Sequence, residues 1–273
     1  MLKDYAIVKT VDSALAALRR GNAKVIAGGT DLILDLKSGK VQVDTLVDIN
    51  SIDELKKIEL LDGQIRIGAA VTHQQVAESE LIRDKALALA KASGAVGSLQ
   101  IRNTATVVGN VVNAQPAADA AVALVAFGAV AEIHDDAGVT HQPVEQLYAG
   151  VAKSKIDSSK QLVTAVQFPA LLPNQGCAFI RLAQRGALAL PMLNVAVVAS
   201  VVNNKVEWVR IVMAPVATQP VRATSAENML KGAEVNEANI LAAAQEPRAW
   251  SPSSSPAATA ASAPSTPCTA AWP

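Results

Sequence analysis

Three turn signals, Asp62-Gly63, Asp135-Asp136-Ala137-Gly138 and Asn203-Asn204, each stand between apolar stretches of strand-like pattern. Asn, Asp and Gly enter the left-handed region easily, and between alternating segments they close antiparallel hairpins. The stretches joined are IELL and QIRIGAA, AVAEIH and VTHQPV, and LNVAVVASVV and VEWVRIVMAPV. CAFIRLAQR is one more strand-like run in the last third. A chain carrying these signals is expected to pair its strands mainly antiparallel in its later parts.

Helical spacing interleaves with the strands. Residues 10–21 predict a helix with Thr10 as N-cap, Leu15 and Leu18 as its apolar stripe and Gly21 as its stop. A short buried strand is expected at 24–27, a helix at 31–38 closed by Gly39, and an apolar strand at 43–50. Residues 72–94 read as one helix capped by Thr72. Thr224 and Glu227 form a capping-box pattern, and Asn236 caps a final helix. Pro169 and Pro173 punctuate the chain between these regions. The expected fold is therefore α+β, with a first domain over 1–170 (subdomains about 1–54 and 55–170), a second over 171–246, and a tail over 247–273. From Ser251 the tail carries no charge and is almost wholly Ser, Pro, Ala and Thr. It reads as disordered, or as an out-of-frame ending after Glu246, and no function is expected of it.

Composition narrows the function. With 273 residues, 51% of them hydrophobic, the chain can bury a substantial core. Lys+Arg and Asp+Glu balance at 24 each and aromatic residues make up 3%, which argues against a nucleic-acid partner. The two cysteines, Cys177 and Cys268, set no disulfide framework and cannot supply the four thiolates of an all-Cys iron–sulfur cluster. No signal-peptide pattern opens the chain, the apolar run 120–131 is too short to span a bilayer, and the run 187–202 is broken by Pro191 and Asn194. A soluble, cytoplasmic protein without a membrane span is expected.

Two stretches carry candidate chemistry. In AGGTDL, Gly28 and Gly29 lie between a strand and a helix, followed by Thr30 and Asp31. Paired glycines there either only turn the chain or let a diphosphate approach the backbone at a helix start. Asp31 would repel a phosphate and is expected to cap a nearby amide. The stretch lacks the dinucleotide GxGxxG and the P-loop GK[ST]. Residues 97–119 read as a loop in which Asn103, Thr104, Thr106, Asn110 and Asn113 alternate with Val and Ala, offering hydrogen bonds to a polar ligand. Asp119 either caps the helix at 120–127 or binds sugar hydroxyls. His73, His134 and His141 match no metal spacing and are expected at the surface, while Arg181 and Arg185 fall on an apolar strand. No catalytic residue and no metal site is expected.

AGGTDL, then IRNTATVVGN…PAAD about seventy residues later, then CAFIRLAQR, resemble the FAD-binding medium subunit of the molybdenum hydroxylases, the xanthine, carbon monoxide and nicotinate dehydrogenases. The resemblance runs over about residues 1–245. It implies two α+β FAD-binding subdomains of the vanillyl-alcohol-oxidase/PCMH type and a smaller α+β C-terminal subdomain. It further implies that Val25, Ile26, Ala27, Gly28, Gly29, Thr30, Asp31 and Leu32 wrap the FAD diphosphate, so that the glycines serve its close approach. Gly97 with Thr106, Val107, Val108, Gly109 and Asn110 forms a second loop, Asp119 binds sugar or ribityl hydroxyls, Val163 touches the cofactor and Arg181 lies near the flavin. Val108 replaces a family glycine, and its Cβ narrows the gap to the cofactor. The implied partners are a large molybdopterin subunit and a small subunit with [2Fe-2S] clusters, in a dimer of heterotrimers, with NAD or another electron acceptor. A non-catalytic nucleotide-binding or scaffold module is the alternative. A self-sufficient flavin oxidase fits less well, because no substrate-side acid–base pair and no covalent flavin attachment motif stands out.

Overall fold

The computed structural model describes residues 2–246; the expected tail lies outside them. The chain opens with β1 (Asp4–Ile7), α1 (Val11–Leu18), β2 (Ala23–Ile26), α2 (Leu32–Lys37) and β3 (Thr45–Asp48). The strands form a parallel sheet in the order β1-β3-β2, with α1 and α2 in the connections. α1 starts as predicted: the Thr10 hydroxyl accepts the Ser13 N–H, and Ser13 returns the bond to the Thr10 N–H. Its buried face is Ala14, Leu15, Ala17 and Leu18.

Next come β4 (Ile58–Leu61), β5 (Gln64–Gly68), α3 (His73–Glu78), α4 (Glu80–Lys85), α5 (Leu87–Gly94), α6 (Leu99–Arg102), α7 (Val107–Val112) and α8 (Asp119–Phe127). They are followed by β6 (Val130–Asp135), β7 (Gly138–Pro143), the small pair β8 (Tyr148–Gly150) and β9 (Lys153–Ser154), and β10 (Leu162–Pro169). The second sheet is antiparallel in the order β4-β5-β10-β6-β7, with both predicted hairpins in place. β10, unassigned in the sequence reading, is its central strand. A strand buried on both faces has no alternation to announce it.

The single helix expected over 72–94 is three. Ser79 turns extended (φ −61, ψ 122) and offers its hydroxyl to the Ile82 N–H, ending α3 and capping α4, while Ala86 (φ −157, ψ 47) separates α4 from α5. The expected loop at 97–119 contains two short helices, because Ser98 and Thr106 each cap a turn. α8 is buried at every position and stops at Gly128 in the left-handed region (φ 70). It is the central core helix, touching α5 on one side and the third sheet on the other.

That sheet comprises β11 (Gln175–Leu182), β12 (Leu193–Val202), β13 (Lys205–Ala214) and β14 (Val221–Arg222), antiparallel in chain order; α9 (Thr224–Leu230) and α10 (Glu237–Ala244) complete the described chain. Asn203 and Asn204 both take positive φ (50 and 60), the conformation of a type I′ turn. The predicted Thr224–Glu227 box does not form. Ala223 is the N-cap, and the Glu227 carboxylate instead accepts the Ile211 N–H and pairs with Arg222. Asn236 caps α10 as predicted, accepting the Asn239 N–H at 2.9 Å. Asn236→Ala should lower unfolding free energy by about 1 kcal/mol in a urea titration, the usual worth of such a cap.

Candidate functional site

A cavity of about 1100 Å³ opens where the three sheets meet. Its walls come from the turn after β2, the α6–α7 segment, the start of α8, β10, β11 and residues 188–191. Every residue that the resemblance assigns to the cofactor lines it except Val107; Asn103, Thr104, Arg185, His134 and His141 do not. The Val107 side chain is fully buried and its N–H donates to the Val71 carbonyl, so it belongs to the core.

The glycine pair has an unexpected geometry. A Cβ on Gly28 would lie 2.2 Å from the Thr104 carbonyl oxygen and 2.9 Å from the Ala105 Cα. Gly28 is therefore required by contact between the chain's own two turns, not only by a ligand's approach. Gly29 takes φ +66, where glycine is favoured. Asn50 Nδ2 donates to the Ala27 carbonyl at 3.0 Å and steadies the turn. Asp31 occupies the N-cap position of α2 but makes no side-chain cap bond, contrary to expectation.

On the second turn, the Thr106 hydroxyl accepts the Gly109 N–H at 3.1 Å. A Cβ on Gly109 would stand 2.7 Å from that hydroxyl, so glycine keeps the cap intact. Val108, expected to narrow the cavity, is 3% exposed and its side chain packs in the core.

Asp119 is neither an N-cap nor a free ligand. Ala118 caps α8, and the Asp119 carboxylate, 5% exposed, accepts Arg181 Nε at 3.1 and 3.2 Å and Asn194 Nδ2 at 2.8 Å. Burial pushes its pKa up, and the bonds from Asn194 and Arg181 oppose that rise. Arg181 also donates through Nη2 to the Ala189 carbonyl. Arg185 lies beyond β11, not on it, and donates to the Ala187 and Leu188 carbonyls at 3.1 and 2.6 Å. The two guanidiniums thus fix the backbone of residues 187–189 at the cavity rim. Asn194, which sequence reasoning used only to break an apolar run, was legible as a lone amide within a buried strand.

His73, expected at the surface, is buried at 0% exposure on the cavity wall. Neither ring nitrogen has a partner among the described residues. Leaving such a group unsatisfied costs on the order of 1–3 kcal/mol. Burial, helped by the charge of Arg102, pushes its pKa down to about 4. The unfolded imidazole takes up its proton near pH 6.5 and the folded one only near 4, so the unfolded state binds more protons between these values. The stabilisation is fully present above pH 6.5 and is lost as pH falls towards 4. Wild type should lose on the order of 3 kcal/mol more than His73→Phe across that window, read from unfolding at a series of pH values.

Among the described residues no group of His, Cys, Asp or Glu could hold a metal ion, and no helix is long and apolar enough to cross a membrane.

Comparison with known proteins bears on the family of the chain. The family described as FAD binding domain in molybdopterin dehydrogenase matches residues 2–171, and the CO dehydrogenase flavoprotein C-terminal domain matches residues 178–261. The xanthine dehydrogenase FAD-binding subunit of Escherichia coli O157:H7 is 31% identical over 215 residues, 78% of this chain and 74% of that protein. The nicotinate dehydrogenase FAD-subunit of Eubacterium barkeri is 28% identical over 240 residues, 85% of this chain and 81% of that one. A carbon monoxide dehydrogenase structure from Hydrogenophaga pseudoflava superposes with a TM-score of 0.83 at 26% identity, covering 89% of this chain and 85% of its counterpart. With a matching family model over most of its length, and the mixed α+β architecture that accompanies it, the chain belongs to the FAD-binding medium subunits of the molybdopterin-dependent dehydrogenases.

Proposed function

We propose that this subunit holds FAD in the 1100 Å³ cavity and passes electrons, received from iron–sulfur clusters on a small partner subunit, to NAD or another acceptor. The observation that carries the reading is that the Gly28-Gly29 turn and the Thr106–Asn110 segment line one cavity, next to the place where Gly28 packs on Thr104 and Ala105. The volume reaches the upper end of usual ligand sites, as a dinucleotide needs. Backbone from Val25 to Leu32 and from Thr106 to Asn110 would hold the diphosphate, with the Thr30 hydroxyl adding a donor. Asp119, already bonded to Arg181 and Asn194, keeps lone pairs for a ribityl or ribose hydroxyl. Val163 would supply apolar contact, and Arg181 a fixed positive charge on the flavin side. FAD supplies the redox chemistry, accepting electrons singly and releasing them in pairs, while the protein orients it and excludes water. Substrate oxidation falls to a large molybdopterin subunit, in a dimer of heterotrimers acting in the cytoplasm. The division into an FAD-binding domain over 1–170 and a C-terminal domain over 171–246 belongs to the same reading.

Purified protein incubated with FAD and passed through gel filtration should keep a flavin absorption spectrum that bleaches with dithionite. A colourless protein would sink the reading and favour the scaffold alternative.

A further inference from the structure

A second, smaller cavity of about 200 Å³ lies between the second and third sheets. Gly128 lines it at the end of α8, Glu145 in the turn after β7, Arg210 on β13 and Arg222 on β14. Arg222 is accounted for: its Nε and Nη2 donate to the Glu227 carboxylate at 3.2 and 2.6 Å, which leaves Nη1 unengaged. Arg210 is not. Its guanidinium lies over Gly128, where a Cβ would stand 2.6 Å from Nη1 and 2.9 Å from Cζ, and Cζ is 5.5 Å from the centre of the Trp208 ring. Among the described residues that guanidinium makes no hydrogen bond and no ion pair, yet none of its nitrogens is sealed off from solvent. The C-terminal end of α8 favours a cation here. It does not use the cation's donors, because the Leu124 and Val125 carbonyls already accept the Ala129 and Gly128 N–H groups.

A guanidinium cannot shed its proton, so a half-buried one calls for an acceptor. The Glu227 carboxylate is spent on Arg222 and the Ile211 N–H. Glu145, the one carboxylate in the lining, forms no ion pair with either arginine. Burial and the charge of Arg222 push the Arg210 pKa down, and Glu145 and Glu227 offset this only in part. We propose that this cavity is an anion site, in which the Arg210 and Arg222 guanidiniums hold a small oxyanion of the inorganic phosphate type. The volume falls below that of ordinary organic-ligand pockets, and the oxygens of such an ion match the planar fork of a guanidinium. Bound there, the ion would tie the third sheet to the end of α8. The two cavities share no lining residue, so the proposal stands whatever the larger one holds.

The test titrates inorganic phosphate into the full chain by calorimetry at constant ionic strength. Wild type should bind it saturably. Arg210→Leu should weaken binding about tenfold, the loss of charge-assisted hydrogen bonds, and Glu145→Gln should tighten it about threefold by removing the nearest unpaired carboxylate. Phosphate should also raise the unfolding temperature of wild type more than that of Arg210→Leu, since the general stabilising effect of the salt acts on both alike. Heats that do not saturate would overturn the proposal. So would unchanged binding in Arg210→Leu, which would put the ion elsewhere, the glycine turn of the larger cavity included. If Arg210→Leu fails to fold, Glu145→Gln decides: tighter binding supports the site, and unchanged or weaker binding overturns it.

Discussion

Gly28→Ala should cost about 3 kcal/mol of stability and strip FAD from the protein that still folds. The added methyl would sit 2.2 Å from the Thr104 carbonyl oxygen and 2.9 Å from the Ala105 Cα. Both obstacles are backbone, so no side chain can swing aside, and the two turns must separate. Separation moves the wall that both turns form in the cavity. The matched control is Gly68→Ala, whose Cβ would lie 2.2 Å from the Leu55 carbonyl oxygen, again backbone. Gly68 does not line the cavity. It should lose similar stability in urea unfolding, yet its folded fraction should retain flavin. Equal flavin loss in both variants would mean that general destabilisation, not the contact between turns, governs binding. Wild-type behaviour of Gly28→Ala would refute the contact itself.

Asp119→Ala should be the other severe variant, at about 3–5 kcal/mol, because it leaves the Arg181 guanidinium charged and mostly buried without its partner. Arg181→Leu is the instructive counterpart. A guanidinium cannot shed its proton, whereas a buried carboxyl whose pKa is already raised can take one up. Arg181→Leu should therefore cost less than Asp119→Ala, and the gap should widen as pH falls. The double variant Asp119→Ala/Arg181→Leu should be more stable than the sum of the two single losses predicts, with a coupling of about 2 kcal/mol. Additive losses in a double-mutant cycle would show that the two side chains act independently.

Much of the architecture was written in local signals. The hairpin turns at Asp62-Gly63 and Asn203-Asn204, the Thr10 and Asn236 caps, and the Gly39 stop act within a few residues, and local chemistry decides them. The misreadings share a different cause. Ser79 breaks a helix that spacing alone would continue, because its hydroxyl can accept the Ile82 N–H in the first turn of the next helix. β10 has no period to read because both its faces are covered. His73 and Glu227 depend on partners or surroundings remote in sequence, so no window around either residue reveals its burial. At the cavity, the motifs were legible as residue types but not as a contact. Nothing in AGGTDL says that Gly28 meets Thr104, and nothing near Asp119 points to Asn194.

The cavity's dispersed ancestry along the chain has a consequence for biogenesis. Its lining begins at Lys24 and includes residues 188–191 and Pro215, with α8 packed against β12 and β13. During synthesis the first turn emerges long before the rim to which Arg181 and Arg185 anchor, so a ribosome-bound fragment has only half a vessel. If FAD is held in this cavity as proposed, loading would follow closure of the third sheet over α8. Flavin capture would then mark a chain that has finished its tertiary assembly, and mass action by the captured cofactor would draw late intermediates to the native state.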